Sequence, residues 1–186
     1  MKYLVIDACA RNNSRTRRLC KEYLNTLNGD IKILKLYDLG IKPITEDVIN
    51  YRDSFIAKND YIDPIFDLAK DFITYDEIII ASPYWDLSFP SILKVYFENI
   101  SISGLTFLYT GERPKGLAKA KRIVYISTSG GIIHGNNLGF EYVEAIGRFF
   151  GINEAINITV EGLDIDPSKE EELINEGINR IKELSK

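Results

Sequence analysis

The chain has 186 residues and a formal net charge of −4, from 27 acidic and 23 basic side chains. At 45% hydrophobic and 27% charged it is too apolar to stay disordered, and its length suits one domain, 1–186, that buries about 70% of its unfolded surface. The acidic balance argues against nucleic acid as a partner. No apolar run approaches the ~20 residues of a membrane span, and Asp7 interrupts the first apolar stretch too early for a signal peptide. Two cysteines, Cys9 and Cys20, make no disulfide framework, which points to reduced thiols and a cytoplasmic protein.

Strand-like and helix-like segments alternate along the chain. Residues 2–7 read as a strand apolar on both faces, as in a buried parallel sheet. Ser14 then caps a helix with the stripe Cys20, Tyr23, Leu24 and Leu27, stopped at Asn28-Gly29. Further strands are expected at 31–36, 77–82, 122–127 and 155–160. The intervening helices carry Ile62, Ile65, Phe66, Ala69, Phe72 and Ile73; then Ile92, Leu93, Tyr96, Phe97 and Ile100; then Phe140, Val143, Ile146 and Phe149, stopped at Gly151. The last helix, with Ile174, Ile178, Ile181 and Leu184, starts either from a capping box of Ser168 and Glu171 or from Asp166-Pro167. This pattern predicts an α/β domain, a doubly wound five-stranded parallel sheet in the order 2-1-3-4-5. Segments 39–59 and 101–121 exceed simple connections, and the second is expected to hold a small extra hairpin at 105–111. Tyr51, Phe55, Ile56, Phe107 and Leu108 in these segments exceed what one small core needs and predict a homodimer.

Ligands on such sheets bind beyond the carboxyl ends of the strands where strand order reverses, here the first, third and fourth ends. The first loop runs Cys9-Ala10-Arg11-Asn12-Asn13-Ser14-Arg15-Thr16 into a helix N-terminus, whose free N–H groups suit a phosphate. The same residues also suit a capped surface helix with a solvated basic face. Neither a G-x-G-x-x-G in this loop nor a G-x-x-x-x-G-K-[ST] anywhere is present, which argues against a dinucleotide fingerprint and a P-loop. The third end, Pro83-Tyr84-Trp85-Asp86-Leu87, offers two aromatics for a flat ring, or for packing. The fourth, Thr128-Ser129-Gly130-Gly131, lets backbone approach a ligand, or makes a turn. No metal-ligand cluster stands out.

Together the three ends resemble the FMN-dependent NAD(P)H:quinone oxidoreductase and azoreductase family, which is flavodoxin-like. Leu93-Lys94-Val95-Tyr96-Phe97, Thr106-Phe107-Leu108-Tyr109-Thr110 and Glu161-Gly162 add to the likeness. The resemblance implies an FMN phosphate on Ser14, Arg15 and Thr16, with Cys9 nearby where the family has a serine. It implies a flavin ring against Pro83, Tyr84, Trp85, Asp86 and Leu87, its other polar edge held by Thr128, Ser129, Gly130 and Gly131. It further implies hydride transfer from NADH or NADPH through flavin N5, in ping-pong fashion, to a quinone or azo aromatic acceptor. Tyr109 and His134 are then the polar candidates for a catalytic role, in a dimer with the site at the interface. Departures are Asp86 for asparagine, Ser129 for arginine, and a one-position displacement of His134.

Two rival readings with a chemical role remain, beside a flavin-free protein-interaction domain. Cys9 to Thr16 spells C-x5-R-[ST], which resembles low-molecular-weight protein tyrosine phosphatases, with Cys9 as nucleophile and Arg15 on the phosphate. Asp63-Pro64 or Asp166-Pro167 then supplies the acid, although the loop lacks glycine. The other rival is a non-catalytic flavodoxin-type electron carrier.

Overall fold

A computed structural model describes residues 1–184. In chain order the elements are β1 (Lys2–Asp7), α1 (Arg15–Leu24), β2 (Asp30–Lys35), α2 (Glu46–Ile56), α3 (Asp67–Thr74), β3 (Glu77–Ala81), α4 (Ser91–Ile100), β4 (Phe107–Tyr109), β5 (Pro114–Gly116), β6 (Arg122–Thr128), α5 (Leu138–Phe149), β7 (Glu154–Val160) and α6 (Glu170–Leu184). Five strands form a parallel sheet in the order β2-β1-β3-β6-β7. This is the predicted 2-1-3-4-5 topology, renumbered because the antiparallel β4–β5 hairpin intervenes.

Alternation along each strand divides the core in two. Leu4, Ile6, Ile78, Ile80, Ile123 and Tyr125 pack under α3, α4 and α5 with Phe66, Phe72, Phe97 and Phe150. Tyr3, Val5, Ile79, Val124, Ile126 and Ile158 point the other way, under α1 and α6 with Leu19, Ile174 and Ile181. Both faces of β1, β3 and β6 are therefore dry, which is why their sequences read as unbroken apolar runs. The edge strand β2 leaves Ile31 and Ile33 exposed.

Several expectations need correction. Segment 39–59 contains α2, and the hairpin extends to Gly116 rather than closing by residue 111. Ile62 is exposed and precedes α3, because Asp63-Pro64 opens a separate turn in which Asp63 accepts the Ile65 N–H. The C-terminal helix begins through Asp166-Pro167: Asp166 Oδ1 accepts both the Ser168 N–H and its hydroxyl, so no capping box forms. Of the apolar residues assigned to a dimer surface, Phe107 is buried and Phe55 and Ile56 pack on the core; Tyr51 and Leu108 are exposed.

Candidate functional site

Three loops meet beyond the carboxyl ends of β1, β3 and β6 because the sheet ladder continues into them. Ala8 donates to the Ala81 carbonyl at 2.8 Å, Ser82 to Ile126 at 3.0 Å and Tyr84 to Thr128 at 2.9 Å. The loop after β7 joins in: Ser129 donates to Val160, Leu163 to Ser129 and Asp164 to Gly130, at 2.9–3.1 Å. Between these loops lies a cleft of about 480 Å³, within the usual size of a cofactor site.

The first loop owes its shape to Asp7 and Arg17. Asp7 is 4% exposed at the end of β1, and the Arg17 guanidinium donates to it at 2.6 Å (Nε to Oδ2) and 3.3 Å. The remaining Arg17 donors reach the carbonyls of Cys9 at 2.7 Å, Arg11 at 2.8 Å and Asn12 at 3.1 Å. Asp7 also accepts the Cys9 N–H at 2.9 Å. The loop thus wraps one guanidinium without a glycine, and α1 starts at Ser14, whose hydroxyl accepts the Arg17 N–H. The N–H groups of Arg15 and Thr16, in the helix's first turn, have no intrahelical acceptor.

Ser14, Arg15, Thr16, Pro83, Tyr84, Trp85, Thr128 and Gly130 all line the cleft. Thr16 and Thr128 share a 2.6 Å hydroxyl–hydroxyl bond that ties the phosphate-type end to the β6 end. Trp85 is 39% exposed. A β-carbon on Gly130 would meet the Asp164 carboxylate and push that side chain aside. Asp86 and Leu87 do not line the cleft. They form the tip of a two-residue hairpin in which Trp85 and Ser88 exchange both backbone bonds. Both have positive φ, 49° and 70°. That conformation costs a leucine roughly 1–2 kcal/mol, strain that collects where a loop is shaped for a ligand.

Other expected residues lie elsewhere. Ser129 is buried in the ladder, and Gly131 and His134 are exposed outside the cleft. Tyr109 is exposed on the hairpin, beside a second groove of about 430 Å³ that also takes in Arg52, Phe97, Phe107 and Tyr142. Cys9 is buried, its thiol donating to the Ala81 carbonyl at 3.5 Å. Burial, with the neighbouring Asp7 carboxylate, pushes this thiol up to about 12. A phosphatase nucleophile needs the opposite shift, so the structure does not favour that reading of Cys9 and Arg15.

Sequence reasoning missed the roles of Asp7 and Arg17, although an acidic residue ending an apolar strand was a visible signal. It also missed Asp164 and Glu170, which line the cleft and bind Arg15: Nη1 lies 2.8 Å from Asp164 Oδ1 and 3.3 Å from Glu170 Oε2. Arg52, 8% exposed in the second groove, donates to the Ser101 carbonyl at 2.9 Å.

A family model described as "Flavodoxin-like fold" matches residues 1–184. The FMN-dependent NADH:quinone oxidoreductase of Clostridium perfringens is 34% identical over 194 residues, which cover 100% of this chain and 98% of that protein. The chain belongs to this flavodoxin-like family of FMN-dependent NADH:quinone oxidoreductases. An azoreductase from Bacillus anthracis superposes with a TM-score of 0.85 at 24% identity, covering 100% of this chain and 98% of its own. An FMN-dependent NADH-azoreductase from the same species, in complex with FMN, gives 0.80 at 22%, covering 100% and 99%. These two structures share the fold of this family member. Among the described residues, no helix is long and apolar enough to cross a membrane.

Two outcomes are expected. Arg17→Met strands the Asp7 carboxylate and costs about 2–3 kcal/mol in urea unfolding, below the 3–5 of a fully buried pair because Arg17 keeps 30% exposure. Adding Asp7→Asn recovers part of that loss, whereas strictly additive costs would refute the coupling. For Cys9, the unfolded thiol ionises from about pH 9 while the folded one stays protonated to about 12. Its contribution to stability is therefore complete below pH 9 and is lost as pH rises through that window. Native protein at pH 8 should resist a thiol-specific disulfide reagent that modifies both cysteines after denaturation.

Proposed function

We propose that this chain is an FMN-dependent oxidoreductase that uses NADH or NADPH to reduce a quinone or azo aromatic acceptor, in ping-pong fashion. The observation that carries this reading is the single cleft joining the N-terminus of α1 to the Tyr84–Trp85 loop. An anion site at one end and aromatic residues at the other suit the two ends of a flavin mononucleotide. Its relatives bear the corresponding name, and a structural neighbour is described in complex with FMN.

The residues present fit the cofactor. The N–H groups of Arg15 and Thr16, with the Arg15 guanidinium, would hold the phosphate; Pro83, Tyr84 and Trp85 would flank the ring; Thr128 and the bare backbone of Gly130 would meet its polar edge. When bound, FMN would supply the hydride-transfer chemistry through its N5. The chain binds, orients and excludes water. The strained Asp86–Leu87 tip keeps Trp85 at the cleft mouth, and the Thr16–Thr128 bond keeps the two ends at fixed separation. Asp86 and Leu87 act through that turn, and Cys9, Ser129 and Gly131 through the loop backbone beneath. No catalytic role is built from Tyr109 or His134 within one chain; Tyr109 would reach a flavin face only from a partner.

Exposed apolar side chains around the second groove support a homodimer: Ile49 and Tyr51 on α2, Leu108 and Tyr109 on the hairpin. Light scattering at micromolar concentration should give twice the chain mass, and a monomer would refute the dimer.

One FMN should bind per chain and quench, and NADH should then bleach its absorbance. A chain that stays colourless in excess FMN defeats the proposal. Arg15→Ala should weaken FMN on the order of tenfold, the low end of the about 1.5–3 kcal/mol of a charge-assisted bond, because two carboxylates on Nη1 already offset its charge.

A further inference from the structure

Arg15 sits in the first turn of α1 and lines the cleft, where a phosphate would be drawn by the helix N-terminus. Its guanidinium is engaged by residues of the segment that follows β7. Nη1 donates to Asp164 Oδ1 at 2.8 Å, to Glu170 Oε2 at 3.3 Å and to the Leu163 carbonyl at 3.4 Å. Both carboxylates line the same cleft. The segment is placed to make these contacts. Asp164 N–H bonds the Gly130 carbonyl, and the missing β-carbon of Gly130 leaves the space that the Asp164 carboxylate fills. Arg18, about one helical turn on from Arg15, is paired separately and bidentately with Glu171 at 2.7 Å, so it does not relieve Arg15.

We infer that Asp164 and Glu170 are internal competitors of the cofactor phosphate: they hold Nη1 of Arg15 and offset its charge in the free chain, and a phosphate that takes this edge of the guanidinium displaces them. The inference rests on the FMN reading of the cleft. A phosphate carries about −1.5 to −2 charge and three acceptor oxygens, against one charge and two oxygens for each carboxylate, so it can displace them at a guanidinium fork. Riboflavin, which has the ring and ribityl chain without the phosphate, cannot. The exchange therefore sets how strongly the site prefers a phosphorylated flavin. Arg15 holds the Asp164 carboxyl below the ordinary carboxylate range, as the paired state requires.

The test is a fluorescence titration of the full chain, freed of flavin, with FMN and with riboflavin. Asp164→Asn and Glu170→Gln should each tighten FMN about two- to fivefold, the range of a partly exposed ion pair, and leave riboflavin unchanged. In an Arg15→Ala background Asp164→Asn should have no effect on FMN. Weaker or unchanged FMN binding in both carboxylate variants overturns the inference, since the carboxylates then orient Arg15 or do nothing. Equal shifts for both flavins also overturn it, as they mark a change in cleft shape. A wild-type chain that binds neither flavin defeats the FMN reading itself, an outcome distinct from the other two.

Discussion

The ion pair between Asp7 and Arg17 organises everything on the ligand-binding side of the sheet. A carboxylate that is 4% exposed at the end of a dry strand must be matched by charge and hydrogen bonds or it would destabilise the fold. Arg17 supplies both and spends its other donors on three carbonyls of the loop between β1 and α1. That loop contains no glycine, yet it reverses direction, because a planar fork with five N–H groups replaces the turn geometry that glycine would otherwise provide. The direction of α1 follows, and with it the placement of the Arg15 and Thr16 N–H groups at the cleft.

The other walls depend on the same ladder logic. Each of the first three loops keeps its first residue in register with the strand beside it, through Ala8, Ser82 and Ser129, and Tyr84 extends the ladder to Thr128, so the ends of β1, β3, β6 and β7 share one continuous hydrogen-bond network. A rigid floor of this kind can carry local strain. The two successive positive-φ residues, Asp86 and Leu87, persist because Trp85 and Ser88 close the hairpin beneath them. On this wall the cleft is thereby bounded by backbone and the Trp85 ring.

How much of this could be read from the chain depended on periodicity. β1, β3 and β6 were legible because a strand buried on both faces is an apolar run, and α4 and α5 because their stripes are three and four residues apart. The α2 helix was not legible: its apolar face, with Phe55 and Ile56 on the core, is interrupted by Arg52, the one buried residue of Glu46–Ile56. Ile62 looked like the first rung of a stripe although Asp63-Pro64 had already set a turn. At the site, the lining segments at three strand ends were recognisable by composition, whereas the contacts that decide their chemistry join residues far apart. Arg15 meets Asp164 across 149 positions, and no local pattern carries that information.

The loop Cys9–Thr16 shows why a motif alone underdetermines chemistry. Its spacing of cysteine, arginine and hydroxyl could serve either a thiolate nucleophile or a phosphate cradle, and each use begins with the same helix N-terminus. The environment separates them. A nucleophilic thiolate needs nearby positive charge that is not already neutralised, together with access to solvent. Here the nearest guanidinium, Arg17, is bound to Asp7, that carboxylate faces Cys9, and the sulfur is enclosed beneath the loop with the Ala81 carbonyl as its acceptor. All three features favour the neutral thiol, while the anion-binding capacity of the first helical turn is untouched by them. One loop can therefore suit a phosphate at its helix end while its cysteine lacks the electrostatics to attack one.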